Sequence, residues 1–325
     1  MSYLSDKKTL YLFSKSYSLQ LKNRKLVIFK HDEKIDEIPF FYLTTIVANH
    51  NCKIDPKILR YATKNKISLI FIDGNFNFIA SIKHPESKNI FLRRLQYEKF
   101  ANPIFALGTA KKIVVTKLIN CARTIRQDRS DLHQWIHSIQ EATTIDNLRG
   151  LEGSYANLYF TNFGEQIKCK DFKWFGRFKH PAIGEINSLL SWGYTLLEIE
   201  IQTFCEIIGL DPYQGFMHTN YYGRPSLVCD LMEEYRPWVV DRFVLNLINL
   251  KQIKREHFRE VNGLKRLNTQ GYKIFQKAWL GRIKGIKKYQ IIYKTKLSIR
   301  GVIEMQIRLL SKSLTDEYTY QPFIQ

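Results

Sequence analysis

The chain has 325 residues, 45% of them hydrophobic and 14% aromatic, which is enough for a substantial buried core and excludes a disordered polypeptide. With 50 lysines and arginines against 30 acids, its formal net charge of +20 points to a polyanionic partner, nucleic acid or an anionic surface. The five cysteines (Cys52, Cys121, Cys169, Cys205 and Cys229) form no CxxC pair, which excludes a zinc ribbon or a disulfide framework and fits reduced thiols in a cytoplasm.

Residues 1–82 read as a β-rich N-terminal domain. YLFSK, SYSLQLKN, KLVIFKH, EKIDEIPF and TTIVANH are short runs rich in β-branched and aromatic residues, several of them alternating with period two. Asn23-Arg24 sits between two such runs and predicts a tight hairpin turn. IDPKILRYATKNK switches to helical spacing, with Asp55 as cap and Pro56 at the first helical position. SLIFID and FNFIASI return to strand. The opening MSYLSDKKTLYLF lacks the basic-then-apolar order of an export signal, and no run reaches the ~18 apolar residues of a membrane span. A cytoplasmic protein without a membrane partner is expected.

KHPESKN, residues 83–89, is a polar, proline-containing break, and from residue 90 to 325 the pattern is helical almost to the end. Two helices broken near Asn102-Pro103 come first, then DLHQWIHSIQEA. His133 and His137 lie at i and i+4, but Gln134 replaces the glutamate of a zinc protease, so they read as surface or packing histidines. Thr143-Thr144 to Asp146 can start the next helix. Gly150 and Gly153 bracket Leu151-Glu152, and two helix-weakening glycines so close together suggest approach of another backbone or of a ligand. The plainer alternative makes Glu152 an exposed helical acid. WFGRFKHP is a basic-aromatic loop carrying Arg177, Lys179 and His180, a composition suited to a nucleic-acid strand or to ordinary loop packing. INSLLSWGYTLLEIEIQTFCEIIGL predicts a long core helix that stops at Gly209.

GFMHTNYYGRPSLVCDLMEEYRPWVVD, residues 215–241, places His218 ahead of Asp230, Glu233 and Glu234. We read a single helix from a Ser226 cap to about Leu250, with acids near its opening. Asp230 and Glu233 share a face, and Glu234, at i+4 from Asp230, is expected near them. If His218 folds back onto that face, imidazole and carboxylates make a site for a hard or borderline divalent cation. The stretch 251–300 is strongly basic and carries aromatic residues, which favours binding of a phosphate backbone with a steep salt dependence.

LRGLEG, GLDPYQGFMHTNYYGRPSLVCDLMEEYRP and the closing MQIRLLSKSL and YTYQPF together resemble the CRISPR-associated endonuclease/integrase family, protein one of the spacer-acquisition machinery, over nearly the whole chain. The resemblance implies an α+β fold in which a small β-rich N-terminal domain, used for homodimerisation, precedes a larger all-α catalytic domain. It implies that Glu152, His218 and Glu233 are catalytic ligands of Mg²⁺ or Mn²⁺, with Asp230 as a supporting acid; Glu234, near Asp230 by its spacing, is expected to support the site with it. It further implies a DNA endonuclease and integrase that, joined to the small CRISPR-associated protein two, inserts double-stranded protospacer fragments at a CRISPR repeat. Arg177, Arg224, Lys254, Arg255, Arg259, Lys284, Lys287 and Lys288 are the expected DNA contacts, although for Arg224 an ion pair with the following acids is an equal reading. The competing functions are a transposon-borne integrase of the same fold and a non-catalytic DNA-binding scaffold; a zinc hydrolase would call for more His or Cys than this set offers.

Overall fold

A computed structural model describes residues 8–73, 78–82, 89–126, 129–179, 181–289 and 295–325. The chain divides into two units, Met1–Lys88 and Asn89–Gln325; the expected linker, 83–89, lies outside the described residues except for Asn89.

In the first unit the strands are β1 (Lys8–Leu12), β2 (Tyr17–Lys22), β3 (Lys25–Lys30), β4 (Glu33–Pro39), β5 (Leu43–Asn49), β6 (Lys53–Ile54), β7 (Ser68–Ile72) and β8 (Phe78–Ile82), with α1 (Pro56–Lys64) before β7. Asn23 and Arg24 both adopt positive φ, as a two-residue turn that matches strand twist requires, and they set the β2–β3 register. His31 and Asp32 repeat the device between β3 and β4. The strands form two four-stranded sheets, β1-β5-β7-β8 and β4-β3-β2-β6. β5 runs parallel to both β1 and β7 and is buried along its whole length, so it reads LTTIVAN without polar alternation. Asp55 caps α1 by accepting from the Lys57 N–H at 2.9 Å, and Pro56 takes the first position. Leu19, Ile28, Phe40, Ile46, Ile58 and Leu69 centre the core between the sheets and α1.

The second unit is mostly helical. It contains α2 (Ile90–Ala101), α3 (Pro103–Ile125), α4 (Arg129–Glu141), α5 (Ile145–Glu165), α6 (Glu185–Ile208), α7 (Ser226–Tyr235), α8 (Arg242–Asn249), α9 (Thr269–Ile283) and α10 (Ile299–Leu314). Asn102 ends α2 and caps α3, accepting from the N–H groups of Ile104 and Phe105 at 2.9 and 3.2 Å. Thr144 caps α5, and Gly209 closes α6 in the left-handed conformation. α3 packs on α4, α5 and α7, while α6 packs on α7 and α10. The middle of the unit is therefore α3, α6 and α7.

Three expectations are corrected here. The helix from Ser226 to Leu250 is not continuous: Arg236–Asp241 forms a wider, π-helical turn between α7 and α8. Pro237 lies inside this run, has no N–H to donate and crowds the preceding turn, and the extra residue absorbs the conflict. Ser226 does not cap α7 and no acid stands in the first turn; instead the Ser226 hydroxyl donates to the Thr219 carbonyl at 3.2 Å. The basic tail is also not helical throughout. β9 (Phe258–Val261) pairs with β10 (Leu264–Leu267), and β11 (Ile286–Tyr289) pairs with β12 (Thr295–Ser298). Asn262 and Gly263, both with positive φ, make the first hairpin, and this Asn-Gly pair is the signal that the charge pattern obscured.

Candidate active site

Glu152 of α5 and Glu233 of α7 both meet a lysine that no sequence pattern singled out. α3 is apolar on its inner face, where Ile113, Val114, Leu118 and Cys121 are fully buried. Lys117 sits among them at 8% exposure. Its ammonium pairs with Glu152 on α5 and, at 2.5 Å, with Oε2 of Glu233 on α7. The other Glu233 oxygen accepts from Arg236 Nε at 3.1 Å. Burial pushes the Glu233 carboxyl up, but Lys117, Arg236 and His218 together outweigh it and hold the group well below the ordinary carboxylate range. Burial likewise pushes Lys117 down, and Glu233 and Glu152 more than reverse it, so the ammonium stays charged.

His218 reaches the same place by a different device. Asp230, fully buried, accepts from the backbone N–H groups of Phe216 (2.7 Å), Met217 (3.0 Å) and His218 (2.8 Å), and its Oδ1 lies 2.6 Å from Nδ1 of His218. One carboxylate thus folds the loop and grips the ring, leaving Nε2 as the ring nitrogen free to ligate. Gly215 begins that loop because a Cβ there would lie 2.8 Å from Asp230 Oδ2 and 2.9 Å from the Ser226 backbone carbon. Arg149 ties α5 to the loop by donating to Thr219 Oγ1 at 3.0 Å. A cleft of about 480 Å³ opens here, lined by Arg149, Gly150, Glu152, His218 and Arg224 among others.

The structure therefore brings Glu152, Glu233 and His218 into one neighbourhood. Among the described residues no three His, Cys, Asp or Glu side chains are set to hold a metal ion as placed, because the Lys117 ammonium lies between the two carboxylates and Asp230 holds the imidazole. The donor chemistry nonetheless fits a hard or borderline divalent ion: two carboxylates already converge on one cationic group, with an imidazole on the same cleft. A Cβ at Gly150 or Gly153 would meet nothing within 4 Å, so no second backbone presses on that turn, contrary to the expectation of a close backbone approach.

Two expected site residues belong elsewhere. Glu234, expected beside Asp230, turns into the core, where it accepts from the Tyr320 hydroxyl and, at 3.2 Å, from the Phe323 N–H. Burial pushes its carboxyl up to about 8 against the pull of those donors. It anchors the C-terminal segment. Arg177, expected on DNA, is drawn inward: it donates to Asn187 Oδ1 at 2.9 Å and Ser191 Oγ at 3.2 Å and lies over the Tyr194 ring. Two residues along the same loop, Lys179 is exposed, and partial desolvation together with the charges of Arg236, Lys117 and Arg177 pushes its ammonium pKa down. Lys179 is the loop's phosphate candidate. Arg224 lines the cleft; Lys254, Arg255, Arg259 and Lys284 are exposed; and the side chains of Lys287 and Lys288 lie outside the described residues. Behind the site, Arg236 stacks on Tyr194 at 4.7 Å, and Tyr194 and Tyr159 both donate to the buried Asp241, at 2.5 and 2.8 Å.

Comparison with known proteins points in one direction. The family profile described as "CRISPR associated protein Cas1" matches residues 10–280. A CRISPR-associated endonuclease Cas1 of Thermus thermophilus is 31% identical over 290 residues, 88% of this chain and 87% of that protein. A Cas1 structure from Thermotoga maritima superposes with a TM-score of 0.85 at 25% identity, covering 96% of this chain and 99% of that one. A casposase bound to its integration product has the same fold (TM-score 0.83, 22% identity, 98% and 93% covered). So does a chain of a Cas6-RT-Cas1–Cas2 complex (TM-score 0.82, 20% identity), of which the match covers 36% while taking in 99% of this chain.

Proposed function

This chain belongs to the CRISPR-associated Cas1 family, and we propose that it is a divalent-metal-dependent DNA endonuclease and integrase that inserts short DNA fragments into a CRISPR array. The observation that carries this reading is the convergence of Glu152 and Glu233 on a single cationic group beside an imidazole held by a buried aspartate.

In the proposed reaction a DNA 3′-hydroxyl attacks a phosphodiester in line and a 3′-oxygen leaves; with water as nucleophile the same site cuts. Glu152, His218 and Glu233 would hold Mg²⁺ or Mn²⁺, which when bound neutralises charge on the phosphate and stabilises the departing oxygen. Asp230 keeps Nδ1 of His218 occupied, so the ring presents Nε2 as donor and does not shuttle the proton. Arg236, braced by Tyr194, fixes the orientation of the Glu233 carboxylate. Arg224 and Lys179 offer positive charge to the phosphates flanking the cleft, and the exposed Lys254, Arg255, Arg259 and Lys284 offer it to more distant ones.

Assembly with a CRISPR-associated protein two is supported by the Cas1–Cas2 complex of the same fold. Homodimerisation through the β-rich unit is supported by Phe41 and Tyr42, neighbouring aromatic rings that are 63% and 47% exposed, with centroids 4.1 Å apart. No helix among the described residues is long and apolar enough to cross a membrane, and a cytoplasmic site of action fits the reduced cysteines and a chromosomal substrate.

The test is integration into leader–repeat DNA with the small partner present or absent and with or without chelator. Chelation abolishes strand transfer. So does Glu152→Ala or His218→Ala, with fold and DNA affinity retained; full activity in a folded Glu152→Ala protein overturns the assignment.

A further inference from the structure

Lys117 is the residue of this neighbourhood that the proposed chemistry does not use. A lysine at 8% exposure on an apolar helix face has given up both hydration and side-chain freedom. Its recompense is geometric. The ammonium lies where carboxylates from two other helices meet, 35 residues away on α5 and 116 away on α7 (117 to 152 and 117 to 233). Glu233 has a second cation in Arg236, itself stacked on Tyr194 and so held in place. Among the described residues no other ion pair reaches Glu152 than the one from Lys117. Two carboxylates brought to one point repel unless a positive group stands between them. A lysine does this as a compact point charge on a flexible stem, unlike the rigid fork of an arginine. The position it takes, shared between two carboxylate oxygens, is the kind of position a divalent ion takes.

Resting on the metal reading above, we infer that Lys117 is a positioning residue that competes with the divalent ion for Glu152 and Glu233. In the free protein it holds the two carboxylates together. It gives them up to the ion, while Arg236 remains on Glu233. The ion must displace a cation to bind, so the free protein holds metal weakly. The released ammonium stays tethered on α3 beside the cleft, where its charge faces an entering DNA phosphate. Metal and DNA therefore load together more readily than metal alone.

Mn²⁺ titration calorimetry and thermal melting on the full chain, without DNA, test this. Lys117→Met keeps the length of the stem and removes the charge. It is expected to bind Mn²⁺ more tightly than wild type by about 5- to 150-fold, the ordinary range of coupling between two ligands. It is also expected to melt lower without the ion and to recover more on adding Mn²⁺ than wild type gains. A purely structural lysine would lower the melting temperature equally with and without the ion, and a folded Lys117→Met protein that binds Mn²⁺ no more tightly than wild type overturns the inference. If Lys117→Met does not fold, ¹⁵N-lysine spectra of the wild type decide. The buried ammonium signal moves or broadens as Mg²⁺ binds, and a signal that stays put while Mg²⁺ binds overturns the competition. Glu152→Ala separates the two proposals: Mn²⁺ binding that survives this substitution overturns the metal assignment and the inference with it, whereas binding lost in Glu152→Ala but not tightened in Lys117→Met overturns the inference alone.

Discussion

Glu233 and Glu234 are consecutive residues of one helix, of the same type and both buried, yet they do opposite work. Glu233 faces α3 and α5, meets two cations and is held ionised. Glu234 faces the C-terminal segment, meets a hydroxyl and a backbone N–H, and is pushed up to about 8. The 100° that separates successive residues on a helix is enough to turn one carboxylate toward the cations of α3 and Arg236 and the other toward the C-terminal segment. Burial raises the cost of charge at both positions; only the partners differ, and they decide the sign.

The comparison is broken most severely at the chemical face. Glu233→Gln keeps the shape but removes the charge that Lys117 and Arg236 pair with, so the melting temperature falls, and in the folded fraction strand transfer is expected to vanish while the DNA dissociation constant changes little; activity near wild type would put Glu233 on the structural side. Next in size is Asp230→Asn, which loosens the grip on His218. On the proposed metal reading, metal affinity and activity should each fall about 10- to 100-fold, the usual cost of losing the partner that orients a metal-binding histidine; calorimetry and integration rates unchanged from wild type would remove that role for Asp230. On the structural face, Glu234→Ala removes the carboxylate that accepts from the Tyr320 hydroxyl and the Phe323 N–H, a loss of about 1–3 kcal/mol. Urea denaturation should register that loss while the surviving folded fraction integrates DNA normally. The smallest effect lies behind the site. Burial pushes Asp241 up to about 6. An acid raised in the folded state favours folding at pH below its ordinary range, and that contribution is lost as pH rises through about 6. Asp241→Asn should therefore flatten the fall in melting temperature over this window, and an unchanged slope would remove Asp241 from the account.

Local signals carried most of the fold. Asp55-Pro56, Asn102-Pro103, Thr144 and Gly209 each act within a turn of chain, and the structure uses each as its chemistry suggests. The return of the His218 loop onto the face of α7 was legible for the same reason, being a short loop closing on the helix that follows it, although the residues did not say that Asp230 would hold the ring. Lys117 was not legible, because its partners lie on two other helices; the only trace is a lone lysine in the apolar run IVVTKLIN. Glu234 misled because i+4 spacing from Asp230 gives approximate direction, while a difference of one residue decides which neighbour is met. Arg177 misled because basic-aromatic composition describes a loop that binds DNA and equally one whose arginine packs on Tyr194 and Asn187. Asn262-Gly263 was readable as a hairpin, but a run of positive charge says nothing about backbone and drew the reading toward helix.

The central claim is spatial and can be seen directly. Crystals of the full-length protein grown with Mn²⁺ and measured at the manganese absorption edge should show one anomalous peak per chain, bounded by the carboxylates of Glu152 and Glu233 and the imidazole of His218. A peak elsewhere on the chain, with those three side chains still arranged around Lys117 and Asp230, would contradict it.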